Sequence, residues 1–97
     1  MSETKPPTME IIPVTTANLA VYLNLAQGYE AEFSAITGKK PGAQGVFELD
    51  TNIGDDIRGF VLSVAGVPAG LIAVRLKDGG SYEVAEFYVV PSFRKQA

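Results

Sequence analysis

The sequence contains no cysteine, no histidine and no tryptophan in 97 residues, and each absence removes a class of chemistry. Without cysteine there is no disulfide scaffold, no thiolate nucleophile and no zinc site built on sulfur. Without histidine only carboxylates and carbonyls remain as metal ligands, which argues against a transition-metal centre, and no metal is expected. Triads that use imidazole as the base are excluded for the same reason. A long apolar run is also missing: the longest streak, Ala69 to Val74, is far short of the roughly 20 residues of a membrane helix. Positive charge is in the minority, 8 Lys and Arg against 11 Asp and Glu. With a pI near 4.8, this argues against a nucleic-acid partner. Residues 1–8 are polar, carry two prolines and lack the apolar core of a signal peptide, so they read as a flexible leader to a cytoplasmic protein. What is present, 46% apolar residues, is the composition of a folded domain.

Residues 9–97 read as one domain. Met9 to Val14 is a short strand that Pro13 ends or places at an edge. Thr15, Thr16 and Asn18 are candidate N-caps. Leu19, Tyr22, Ala26, Tyr29, Phe33 and Ile36 then recur at helical spacing, and Leu23 and Leu25 widen the stripe. The helix spans about 17–37 and stops at Gly38, with Lys39 and Lys40 set for the negative end of its dipole. Gly28 weakens its middle by about 1 kcal/mol relative to alanine. Glu30 and Glu32 fall off the stripe and read as a solvated face. Between Pro41 and Arg58 the island Val46, Phe47 and Leu49 fits a short helix, and the segment reads either as a cover over a substrate site or as a solvated connector pinned by Phe47. Asp55 and Asp56 read as loop charges, the competing reading being a pair that attracts a cationic amine. Three strands follow, 60–65, 69–76 and 82–90, joined by turns at Gly66-Val67-Pro68 and Asp78-Gly79-Gly80-Ser81. The expected class is α+β: a mainly antiparallel sheet, made of a short first strand and a three-stranded meander, with one long helix packed on it.

Counting alternation along the last strand puts Tyr82, Val84, Glu86, Tyr88 and Val90 on one face. Glu86 is then a carboxylate among apolar neighbours, which raises its pKa towards a value suited to taking a proton from an ammonium. The competing reading is a carboxylate satisfied by Arg58, Arg75 or backbone donors. Tyr22 and Tyr29 read as core, with the Tyr29 hydroxyl the one placed to reach a substrate.

The segment Glu86-Phe-Tyr-Val-Val-Pro-Ser-Phe-Arg-Lys-Gln-Ala97 resembles the strand and turn that open the acetyl-coenzyme A site of the GNAT superfamily of N-acetyltransferases. The order of elements upstream, with the hairpin Val64-Ala-Gly-Val-Pro-Ala-Gly-Leu71, is similar to that family's N-terminal half. The resemblance implies an acyl-CoA N-acyltransferase-like fold and acetyl transfer from acetyl-CoA to a primary amine, by direct attack without a covalent intermediate. It implies Glu86 as the catalytic carboxylate. The backbone of Tyr88, Val89 and Val90 would pair with the acetyl and pantetheine groups, and Arg94, Lys95, Gln96 and Ala97 would start the pyrophosphate turn. Ala97 stands where the family's first turn glycine is expected, so the resemblance covers about two-thirds of such a domain, cut within the cofactor turn. The family often has a bulge in this strand, which would change the face assignment. One helix cannot cover both faces of a sheet, so the alternative is an inactive module that self-associates as a homodimer through its open sheet edge.

Overall fold

A computed structural model describes residues 8–94. Its elements are β1 (Met9–Pro13), α1 (Leu19–Thr37), β2 (Ile57–Val64), β3 (Val67–Leu76) and β4 (Tyr82–Val89). The strands form one four-stranded antiparallel sheet in the order β1-β2-β3-β4, and α1 lies across one face of it. The expected α+β class is therefore what the chain adopts. Thr8, read with the leader, is tied to the sheet, because its carbonyl accepts the Ala65 N–H at 2.9 Å. The rest of the leader, and Lys95, Gln96 and Ala97, lie outside the described residues. No helix among the described residues is long and apolar enough to cross a membrane.

The apolar stripe does bring α1 onto the sheet, but only its middle is covered. Tyr22 and Ala26 are buried, and Tyr29 is half-buried beside them, whereas Ile36 is 80% exposed and Leu19 and Phe33 are also exposed. The contacts run from Tyr22 against Gly59 of β2 to Gly28 against Tyr88 of β4, so the sheet is crossed within the middle turns of the helix. The third buried residue of the helix is Glu30, which corrects its reading as solvated. None of the expected N-caps bonds the first helical turn. Asn18 instead braces the β1–α1 turn, accepting from Thr15 N at 2.7 Å and donating to Pro13 O at 3.1 Å. Gly38 ends the helix as expected, left-handed at φ 76° with its N–H on Ser34 O.

The core joins Tyr22 and Ala26 of α1 to Val61, Leu71 and Tyr88 of the sheet. Gly59 admits the Tyr22 ring: a Cβ there would lie 2.9 Å from Tyr22 Cε2 and 2.6 Å from Ile53 Cδ1. Gly28 has the same function on the helix side, since a Cβ would stand 3.1 Å from the Tyr88 hydroxyl. The island at 46–49 forms no helix. The Gln27 amide instead clamps the Phe47 backbone, donating to its O and accepting from its N, both at 2.8 Å.

The β2–β3 turn is tighter than the sequence suggests. Val64 pairs with Val67, so the turn is Ala65-Gly66, with both residues at positive φ, 52° and 82°. This is the backbone of a two-residue hairpin turn that favours Asn-Gly. Alanine pays a Cβ clash there. Ala65→Asn is therefore expected to stabilise the protein by about 0.5–1 kcal/mol in urea denaturation.

Candidate functional site

The fold brings Glu86 under the helix by a device invisible in the strand's own alternation. Ala73 pairs with Glu86 but Val74 pairs with Val84, so Ala85 is an extra residue, a β-bulge. The bulge reverses the facing of everything before it. Glu86 and Tyr88 point to the helix, 8% and 6% exposed, while Tyr82 and Val84 point to the bare face, 52% and 64% exposed. The expectation that Tyr82 and Val84 share the Glu86 face is thus overturned at residue 85.

The neighbours of Glu86 are polar, and none of the described cations touches its carboxylate directly. Arg75 pairs with Glu83 at 3.6 Å, and Arg58 is an exposed residue paired in register with Val74, on the opposite face. Among the described residues no cation forms an ion pair with Glu86. Burial raises its pKa above the ordinary glutamate value; a hydrogen bond from the Thr51 side chain acts against this, the charges of Glu30 and Asp50 add to it, and the nearby Lys39 ammonium opposes it. The hydroxyl of Tyr22 is buried without a hydrogen-bond partner. Its pKa is pushed up to about 12, first by burial and then by the negative charge of Glu86. Tyr29 is shifted upward for the same two reasons, with Glu30 and Asp50 contributing. A partnerless buried hydroxyl costs about 1–3 kcal/mol, so Tyr22→Phe is expected to raise the stability in chemical denaturation by about 1 kcal/mol.

Lys39 fixes the loop beside this group. Rather than lying along the helix dipole, its Nζ reaches back to Glu30 Oε1 at 3.0 Å and Asp50 Oδ1 at 2.9 Å, and donates to Glu48 O. Glu30 completes the strap by accepting from Asp50 N at 3.3 Å. The two carboxylates hold the Lys39 pKa above its ordinary value, with burial opposing them. Glu30, Asp50, Thr51, Glu86, Tyr22 and Tyr29 thus surround one end of the helix–sheet interface with a net negative charge. No group of three or more acidic side chains among the described residues is arranged to hold a metal ion.

The outer edge of β4 lies next to this cluster and has no strand neighbour among the described residues. Val90 N donates inward to Ala69 O at 2.7 Å. Alternation then turns the Val89 N–H and C=O outward, and the Val89 carbonyl accepts from Arg94 Nε at 2.7 Å. Of the three residues whose backbone was expected at a ligand, Val89 presents its amide to the outer edge, whereas Tyr88 and Val90 turn theirs towards β3 within the sheet. Arg94 is committed as well. Its guanidinium holds Glu32 by two bonds, 2.7 and 2.8 Å, and sits 5.5 Å above the Tyr88 ring. Glu32, expected to be merely solvated, is therefore the partner that ties α1 to the turn after β4, and its pKa is held low by Arg94. Tyr29 meets Tyr88 edge-on at 5.9 Å, so its ring belongs to the core margin beside the edge. A groove of about 390 Å³ opens here, lined by Phe33, Phe87, Tyr88 and Val89 with the Glu32–Arg94 pair.

Of the residues singled out in the sequence, Glu86, Tyr88 and Arg94 lie at or beside this end of β4, whereas the contacts of Glu30, Lys39, Asp50 and Gln27 were not anticipated. Their partners lie 9 to 20 residues away in sequence, where no local spacing connects them. No protein-family model, no curated protein and no solved structure matches the chain.

Proposed function

We propose that the protein is an N-acetyltransferase of the GNAT type, moving an acetyl group from acetyl-CoA to a primary amine of a small molecule or peptide. The observation that carries this reading is Glu86: a buried carboxylate without a direct ion-pair partner among the described residues, turned to the helix side by a bulge in the last strand of the sheet. The amine lone pair attacks the thioester carbonyl carbon, the C–S bond breaks, and coenzyme A leaves as the thiolate, which takes up the second proton that the nitrogen loses as it becomes the amide. Glu86 takes the proton that the ammonium must lose, a role its raised pKa favours. The Val89 N–H at the open edge is a backbone donor for the thioester oxygen, where developing negative charge is best stabilised by a preorganised dipole. The resemblance at Glu86–Ala97 supports the same assignment, and the groove at Phe33, Phe87 and Tyr88 gives the pantetheine arm an apolar wall. An incoming pyrophosphate would have to draw Arg94 away from Glu32. Calorimetric titration with acetyl-CoA tests the reading: saturable heat at micromolar ligand supports it, and no heat at high micromolar ligand removes it.

A second reading, a catalytically inactive module that dimerises, is favoured by the bare face of the sheet. There Val84 and Phe87 of β4 and Ile11 of β1 are 64%, 59% and 58% exposed, and exposed apolar side chains on a sheet face are features of association sites. Light scattering at tens of micromolar distinguishes the two, since a clean monomer excludes the dimer.

A further inference from the structure

A second concavity lies at the opposite edge of the sheet from β4. β1 stops pairing at Pro13, and the last bond of that edge is Val14 N to Gly59 O at 2.9 Å. β2 continues three residues nearer its own N-terminus, paired there only with β3. The segment 53–56 closes the gap. Ile53 packs its side chain against the space left by Gly59, Gly54 N donates to Ile57 O at 3.2 Å, and Asp56 O accepts from Leu76 N at 2.7 Å. These bonds fix the loop so that Asp55 and Arg58 line one cavity of about 440 Å³, within the roughly 300–1,000 Å³ of small-molecule sites.

The two charges are opposite in sign and share the cavity, yet they do not pair with each other or with any other described residue. Between them the lining is apolar: Val14, Ile53, Ile57 and Phe60. A ligand complementary to this lining carries a carboxylate for the guanidinium of Arg58, an ammonium for Asp55 and an aliphatic group for the remaining wall. Charge-assisted hydrogen bonds of this type are the strong ones, and a guanidinium suits a carboxylate in particular. We propose that the cavity between Val14, the Ile53–Asp55 loop and the Ile57–Phe60 segment binds a small zwitterionic amino acid with an aliphatic side chain. The site is separate from the β4 edge and goes beyond the acetyl-transfer reading, so it holds whether or not acetyl-CoA binds.

The test is titration of the full chain with L-leucine in the absence of acetyl-CoA, followed by calorimetry and by the amide resonances of Gly54 and Gly59. Saturable one-to-one binding is expected, weakened about tenfold or more in Arg58→Ala and in Asp55→Asn. Leucinamide, which lacks the carboxylate, and N-acetyl-leucine, which lacks the ammonium, are expected to bind weaker by a similar factor. Both substituted side chains are exposed, so unchanged melting curves will verify that the variants fold. Absence of saturation in the millimolar range overturns the proposal. So does leucine binding that both variants leave unaltered, or leucinamide binding as tightly as leucine.

Discussion

Glu86→Gln is expected to slow acetyl transfer by about 10²–10⁴-fold, the range of a lost general base, while leaving acetyl-CoA binding in place. The amide keeps the shape of the carboxyl but cannot accept the ammonium proton. The same change is expected to stabilise the fold, and the two effects together separate catalysis from structure. The pKa of Glu86 is raised chiefly by burial, so the folded state favours its protonated form. Stability from this group is fully present below the ordinary glutamate pKa and is lost as pH rises through the higher folded value. Glu86→Gln should therefore melt above the parent protein at neutral pH, with the gap closing as pH falls below the ordinary glutamate range. A variant less stable than the parent at neutral pH would mean that the carboxylate is held by bonds in the folded state, against a catalytic role.

Gly70→Ala has the largest expected effect on stability, a loss of about 3 kcal/mol in denaturant titrations. Gly70 pairs with Val89, and a Cβ at this position would overlap the Tyr88 carbonyl and come within 3.1 Å of Val89 Cα. Both are backbone atoms, so no rotamer change relieves the contact, and β4 must separate from β3. The separation falls at the residues that border the proposed ligand edge. The variant is therefore expected to lose acetyl-CoA affinity along with stability, unlike Glu86→Gln.

The architecture was legible where the determinants are local. The apolar run of 69–76, the turn glycines at 79–80 and the stop at Gly38 each specify their element through a few adjacent residues. The site was legible only in part, because a bulge is a relation between two strands. Nothing in Tyr82–Val89 alone announces that Ala85 has no partner in β3, and counting by twos therefore sent Tyr82 and Val84 to the wrong face. Glu30 was misread for a related reason. Its burial depends on Lys39, which lies past the end of the helix and folds back to it, and on the Asp50 backbone, 20 residues on. The Ala65-Gly66 turn was displaced because Pro68 resembles a turn residue, whereas the chain places it in β3 opposite Ser63, next to an irregularity that accommodates its missing N–H.

Amide chemical shifts recorded during acetyl-CoA titration test directly whether the β4 edge and Glu86 form one acetyl-CoA site. Saturating shifts concentrated at Phe87, Val89 and Glu86, with β1 unmoved, are the predicted result. No shift along β4 at saturating acetyl-CoA, or shifts confined to β1 and α1, would contradict it.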